Sequence, residues 1–129
     1  MLVPELASCL PQMLTRHALL LALSTIRRSA SPNIKLAFNS LCAYASVNHL
    51  HWHLYYQSHL LPCQTSVLAG AGHGQPCQWS TPGYPAAAWV WLINGAPTAG
   101  EMEHAAGQVF TLTKHLTARE VAHNVLVTR

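Results

Sequence analysis

The sequence predicts an α+β chain from three patterns: a long amphipathic stretch near the N-terminus, runs of period-two alternation after it, and a second helical stretch beyond a loop-rich region. Pro11 suits a first helical turn, and Gln12 to Arg28 then runs with few breakers. Met13, Leu14, Leu20, Leu21 and Leu23, with Arg16 and Arg27 set apart from them, predict a helix of about four turns. Ser31-Pro32-Asn33 ends it. Ile34, Leu36 and Phe38 then fall on one face at period two, which predicts a strand. Leu41 to Ser46 reads as a short connection. Val47 to Tyr56, aromatic-rich and free of glycine and proline, reads as a second strand.

From Leu61 to Pro85 the composition turns to Pro, Gly, Ser, Thr and Gln, which predicts a flexible insertion. Its Gly70-Ala71-Gly72-His73-Gly74 loop has neither the spacing nor the lysine of a phosphate-cradling motif. Ala87 to Ile93 predicts a third strand, and Asn94 to Pro97 a turn. Glu101 to His115 reads as a helix. Thr117-Ala118-Arg119-Glu120 has capping-box spacing for one further short helical turn, and Val121 to Val127 reads as a last strand. No internal repeat or long linker interrupts the 129 residues, which suit a single domain.

Half of the chain is apolar and only 9% is charged, against about a quarter in soluble domains. Such a composition predicts surface that something else covers, and so an incomplete domain. The net charge of +3 comes from scattered basic residues rather than a patch, which argues against nucleic acid. The acidic residues are all glutamates; without aspartate, a hard-metal carboxylate cage or an aspartate-supported triad is poorly served. Cys9, Cys42, Cys63 and Cys77 lack CxxC spacing and read as free thiols of a reducing cytoplasm, although Cys63 and Cys77 could pair. His17 to Leu23, bounded by Arg16, Arg27 and Arg28, is shorter than the ~20 apolar residues of a membrane span and lacks a signal cleavage site.

Within the second strand, His49, His51 and His53 alternate with Leu50, Trp52 and Leu54. Successive strand side chains point to opposite faces, so the apolar set can bury while three imidazoles line a cleft. An imidazole is in good part neutral near pH 7 and is then a nucleophile. Attack on an α-phosphate gives a nucleotidyl-histidine and divides one displacement into two steps. A neighbouring histidine can orient the nucleophile, and Asn39 and Ser46 can donate to the phosphoryl oxygens. Two alternatives stand beside this reading. The histidines can be ordinary structural residues, or His-x-His can hold zinc, with His59, His73 or a cysteine completing the site.

The run His49-Leu50-His51-Trp52-His53-Leu54-Tyr55-Tyr56 resembles the active-site strand of the histidine-triad superfamily. Phe38-Asn39-Ser40-Leu41 with Ala45 to His51, and Glu120 to Arg129, narrow the resemblance to the GDP-D-glucose phosphorylases and the related plant GDP-L-galactose phosphorylases. It implies part of a histidine-triad (HIT-like) domain, an antiparallel sheet with helices packed on it. It also implies a fragment over residues 1–129 that lacks an N-terminal nucleotide-pocket portion.

By that resemblance His51 is the nucleophile that takes GMP from GDP-D-glucose, His49 supports it, and His53 lies near the phosphoryl group. Inorganic phosphate then releases GDP. Asn39 and Ser46 match phosphate-contacting positions, and no metal or other cofactor is implied. Leu54, Cys42 and Tyr44 depart from the smaller or plainer residues of the family pattern. A hydrolase that uses water in place of phosphate, and an inactive truncated remnant, are the alternatives. Trp79, Trp89 and Trp91 can stack on a guanine, but Trp89 and Trp91 read better as sheet core or covered surface, and Arg119 and Arg129 as a solvated or ion-paired face.

Overall fold

In the computed structural model, residues 1–66, 76–79 and 86–129 are described. Helix α1 spans Arg16–Arg28, later than the sequence predicts. Thr15 in extended conformation caps it, its hydroxyl accepting from Ala18 N–H at 3.0 Å. Pro11 and Gln12 therefore lie outside the helix, and Gln12 is free for another task. Arg27 and Arg28 close the last turn, where positive charge suits the helix dipole. The buried stripe is Ala18, Leu19, Ala22 and Ile26 rather than the bulkier set expected, and Met13 is exposed. Alanines at 18 and 22 let the helix backbone come close to what it packs on.

Helix α1 packs on helix α3, Ala99–Ala118, and on a three-stranded antiparallel sheet in the order β2-β1-β5, with β1 at Ile34–Asn39, β2 at His53–Tyr56 and β5 at Asn124–Val127. Ile34, Leu36 and Phe38 bury together against α1, as their period-two spacing requires. Leu50 and Trp52 join them, and Phe38 meets Trp52 ring to ring at 5.7 Å. The opposite side of β1 holds a buried polar group, Lys35, whose ammonium donates to Thr128 Oγ1 at 3.1 Å. Thr128 also accepts from Gln64 on the short helix α2, Pro62–Ser66, at 2.8 Å.

The second strand is shorter than its sequence suggests. Only His53–Tyr56 pairs with β1, in the register Ile34↔Tyr56 to Ala37↔His53. Residues 50 to 52 are held instead by the N-terminal segment: Leu50 N–H donates to Leu10 O, and Trp52 exchanges both backbone bonds with Leu2. The strand predicted near residue 90 forms as β4, Ala88–Trp91, but pairs with β3, Pro76–Trp79, in a separate two-stranded sheet. Helix α2 and β3 thus lie inside the region predicted as an insertion, while the glycine loop 70–74 lies outside the described residues.

Helix α3 runs from Ala99 to Ala118, longer than expected at both ends. Its capping box is Thr98 with Glu101, not the Thr117–Glu120 spacing, where the chain is finishing α3. Ala105 and Ala106 bury, and Arg16 pairs with Glu103 at 2.9 Å across the exposed α1–α3 seam, a contact of little energetic weight. No helix among the described residues is long and apolar enough to cross a membrane.

Two measurements test this architecture. Trp52 is fully buried between sheet and helix, so Trp52→Ala should cost roughly 3–5 kcal/mol in chemical unfolding. Glu101 is held below its ordinary pKa of 4.5 by the backbone N–H and hydroxyl of Thr98 and then by the Asn94 amide. Its ionised form therefore favours the folded state, a contribution complete above the unfolded pKa and lost as pH falls through the lower folded one. The stability difference between wild type and Glu101→Gln should be flat above about pH 5 and change below 4.5. A difference independent of pH would contradict the cap.

Candidate active site

The three histidines sit where β2 leaves its ladder. Residues 46–49 bend, 50–52 run against the N-terminal segment, and β2 begins at His53. The alternation expected from sequence holds for the apolar partners: Leu50 and Trp52 lie in the core and Leu54 packs against it. The imidazoles, however, do not line an open cleft together. His53 is exposed and His49 half-buried, while His51 is only 1% exposed. Leu50 and Trp52 are bonded to the N-terminal segment and Gln12 bonds the backbone of His51, and the middle ring, pointing away from its two apolar neighbours, is enclosed.

The His51 ring has a defined polarity. Its Nδ1 lies 2.7 Å from His49 O, and since a carbonyl only accepts, Nδ1 carries the proton. Nε2 is buried with no hydrogen-bond partner among the described residues, as is Nε2 of His49. The His53 ring meets His51 edge-on, with centroids 5.0 Å apart. A buried nitrogen without a partner is uncommon in folded proteins and marks a position for which packing alone offers no reason.

Asn39, at the end of β1, donates its amide to Ala43 O at 3.2 Å and so shapes the turn that follows. Ser46 stands exposed in the bend before the histidines. The C-terminal segment returns to the same corner: Ser40 and His123 exchange hydrogen bonds of 3.1 Å, and the His123 ring lies 6.4 Å from Phe38.

One residue that sequence reasoning missed stands at the centre. Gln12, 2% exposed, accepts from His51 N–H at 2.9 Å and donates to Asn39 O at 3.0 Å and His51 O at 3.3 Å. Its own backbone N–H donates to Asn48 Oδ1 at 2.9 Å. No local signal announces it, because every partner but its own segment lies at least 27 positions away in sequence.

The remaining candidates fall elsewhere. Trp91 on β4 donates its indole N–H to Gln108 on α3 at 2.9 Å, and Trp89 is half-exposed; together they line an open cleft of about 480 Å³ with Pro76, Thr111, Leu112 and His115. The Trp79 side chain is outside the described residues. Arg129 donates to the carbonyls of Ser29 and Arg27, fastening the C-terminus to the end of α1. No three His, Cys, Asp or Glu side chains converge for a metal among the described residues, and His73 is not one of these. Cys9, Cys42 and Cys63 are free thiols.

Comparison with known proteins follows the same segments. Residues 1–55, which end in the histidine run, match the family described as GDPGP1-like, N-terminal domain. The chain is 38% identical to GDP-D-glucose phosphorylase 1 of Macaca fascicularis and 37% identical to that of Homo sapiens, in each case over 100% of this chain and 33% of the relative. It is 39% identical to GDP-L-galactose phosphorylase 1 of Arabidopsis thaliana, over 50% of this chain and 14% of the plant protein. No solved structure gives a significant match. The chain thus spans about a third of the length of the curated relatives that it matches, and along its whole extent it is related in sequence to the GDP-D-glucose phosphorylases.

Proposed function

We propose that this chain carries the nucleophile strand of a GDP-hexose phosphorylase, a nucleotidyltransferase built on a histidine-triad fold, and that GDP-D-glucose and inorganic phosphate are its substrates. In this reading residues 1–129 are one part of the domain and 61–85 an insertion in it. The free thiols accord with a cytoplasmic protein. The observation that carries the proposal is the bond of 2.7 Å between His51 Nδ1 and His49 O. It holds the proton on Nδ1 and leaves the Nε2 lone pair without a partner among the described residues, which is the tautomer a nucleophile needs.

The reaction divides into two displacements at the α-phosphorus. In the first, the His51 Nε2 lone pair forms an N–P bond while the bond from that phosphorus to the bridging oxygen breaks. Glucose 1-phosphate departs with the electron pair and GMP stays on the imidazole. In the second, an oxygen of inorganic phosphate forms a new P–O bond, the N–P bond returns its pair to Nε2, and GDP leaves. His49 holds the ring through its carbonyl, and His53, beside the His51 ring, faces the phosphoryl group. The exposed Ser46 hydroxyl and the second N–H of the Asn39 amide donate to phosphoryl oxygens. Attack requires the enclosed Nε2 edge of His51 to be uncovered as the substrate arrives.

Incubation of the chain with GDP-glucose labelled at the α-phosphate tests the reading. Label should be retained on denatured protein, addition of phosphate should discharge it as GDP, and His51→Ala should reduce it to background. Label that persists in His51→Ala refutes the assignment, and discharge as GMP without phosphate makes the chain a hydrolase instead.

A further inference from the structure

We propose that Gln12 is a positioning residue that sets the separation between the His51 imidazole and Asn39; the inference rests on the reading of His51 as nucleophile. The register of β1 against β2 runs from Ile34↔Tyr56 to Ala37↔His53, so the next inward-bonding pair would be Asn39 with His51. In a continuous antiparallel ladder those two residues would bond to each other directly, with the strands about 4.7–4.9 Å apart. They do not. The Gln12 carboxamide lies between them, its Oε1 taking the His51 N–H and its Nε2 serving both Asn39 O and His51 O.

A carboxamide has the donor and acceptor of a peptide unit, so it can satisfy both edges while holding them apart. The other edge of the segment is occupied as well. Leu50 N–H bonds Leu10 O, just before Gln12, and Trp52 bonds Leu2, so both residues flanking His51 are tied to the N-terminal segment. Asn48 Oδ1 accepts the Gln12 N–H and fixes the root of the side chain. The nucleophile is thereby suspended between two anchors, and the Gln12 carboxamide links its backbone to that of Asn39. Without the wedge, β1 and β2 are free to zip together through residues 39 and 51, drawing the imidazole toward Asn39 and loosening the bond to His49 O that sets its tautomer.

Three proteins test this: wild type, Gln12→Met, which keeps the length and loses the bonding, and Gln12→Glu. With α-labelled GDP-glucose, Gln12→Met should form the covalent adduct roughly tenfold to a hundredfold more slowly at saturating substrate, the scale of a misplaced reacting group. Its half-saturating GDP-glucose concentration should stay within about twofold of wild type, as expected for an effect on positioning rather than binding. Gln12→Glu adds a readout that general destabilisation would not produce. Its carboxylate can accept from His51 N–H but cannot donate to Asn39 O, whereas its carboxylic acid does both. The rate deficit of Gln12→Glu relative to wild type, compared at each pH, should narrow as pH falls.

An unchanged rate in Gln12→Met, a loss confined to half-saturation, or a pH-independent deficit in Gln12→Glu would overturn the proposal. If circular dichroism shows Gln12→Met unfolded, the Gln12→Glu profile decides alone. If wild type itself forms no adduct, the nucleophile reading fails, and imidazole nitrogen NMR separates the two ideas. A single Nδ1–H tautomer of His51 that becomes mixed on losing the carboxamide supports positioning, and an unaltered spectrum rejects it.

Discussion

The alternation of residues 49 to 54, apolar to one side and imidazole to the other, is the constraint from which the rest of this structure follows. Leu50 and Trp52 are drawn into the core with Phe38 and helix α1, and each such side chain contributes roughly 1.5–3 kcal/mol by leaving water. A strand cannot turn one residue without turning its neighbours. Burying Leu50 and Trp52 therefore commits His51 to the opposite direction and aims its backbone N–H and C=O away from those of its neighbours. Each edge of the segment then needs its own partner. The N-terminal chain serves residues 50 and 52, while β1 serves residue 53 and Gln12 serves residue 51.

That division explains why polar groups accumulate in so small an interior. Gln12, Lys35 and His51 are all almost fully buried. A buried polar group without a partner costs about 1–3 kcal/mol, so their bonding decides whether the fold tolerates them. Gln12 is satisfied through both ends of its amide, and Lys35 has Thr128. Among the described residues the exceptions are Nε2 of His49 and His51 and the indole N–H of Trp52, which have no hydrogen-bond partner there. For the two imidazoles a reaction partner gives a reason; for Trp52 the ring contacts with Phe38 offset the missing bond without removing its cost.

The low charge of the chain also takes physical form. Leu41, Tyr44 and Val47 stand exposed in the segment just before the histidines, with Val121 and Leu126 exposed toward the C-terminal end.

What the sequence determined by itself was local and periodic. The three strands of the main sheet and the helices α1 and α3 were legible in kind, though not in their bounds, because burial on one face writes a period of two or of 3.6 into consecutive residues, as Ile34, Leu36 and Phe38 do. The opposite facing of Leu50, Trp52 and the histidines was legible for the same reason. Tertiary structure decided the rest. It moved the start of α1 to Arg16, gave β4 to a separate two-stranded sheet, enclosed His51, and brought Gln12 between Asn39 and His51. Those outcomes depend on which distant backbone group meets which, and a hydrogen bond across 27 or 39 positions leaves no mark on the residues beside it.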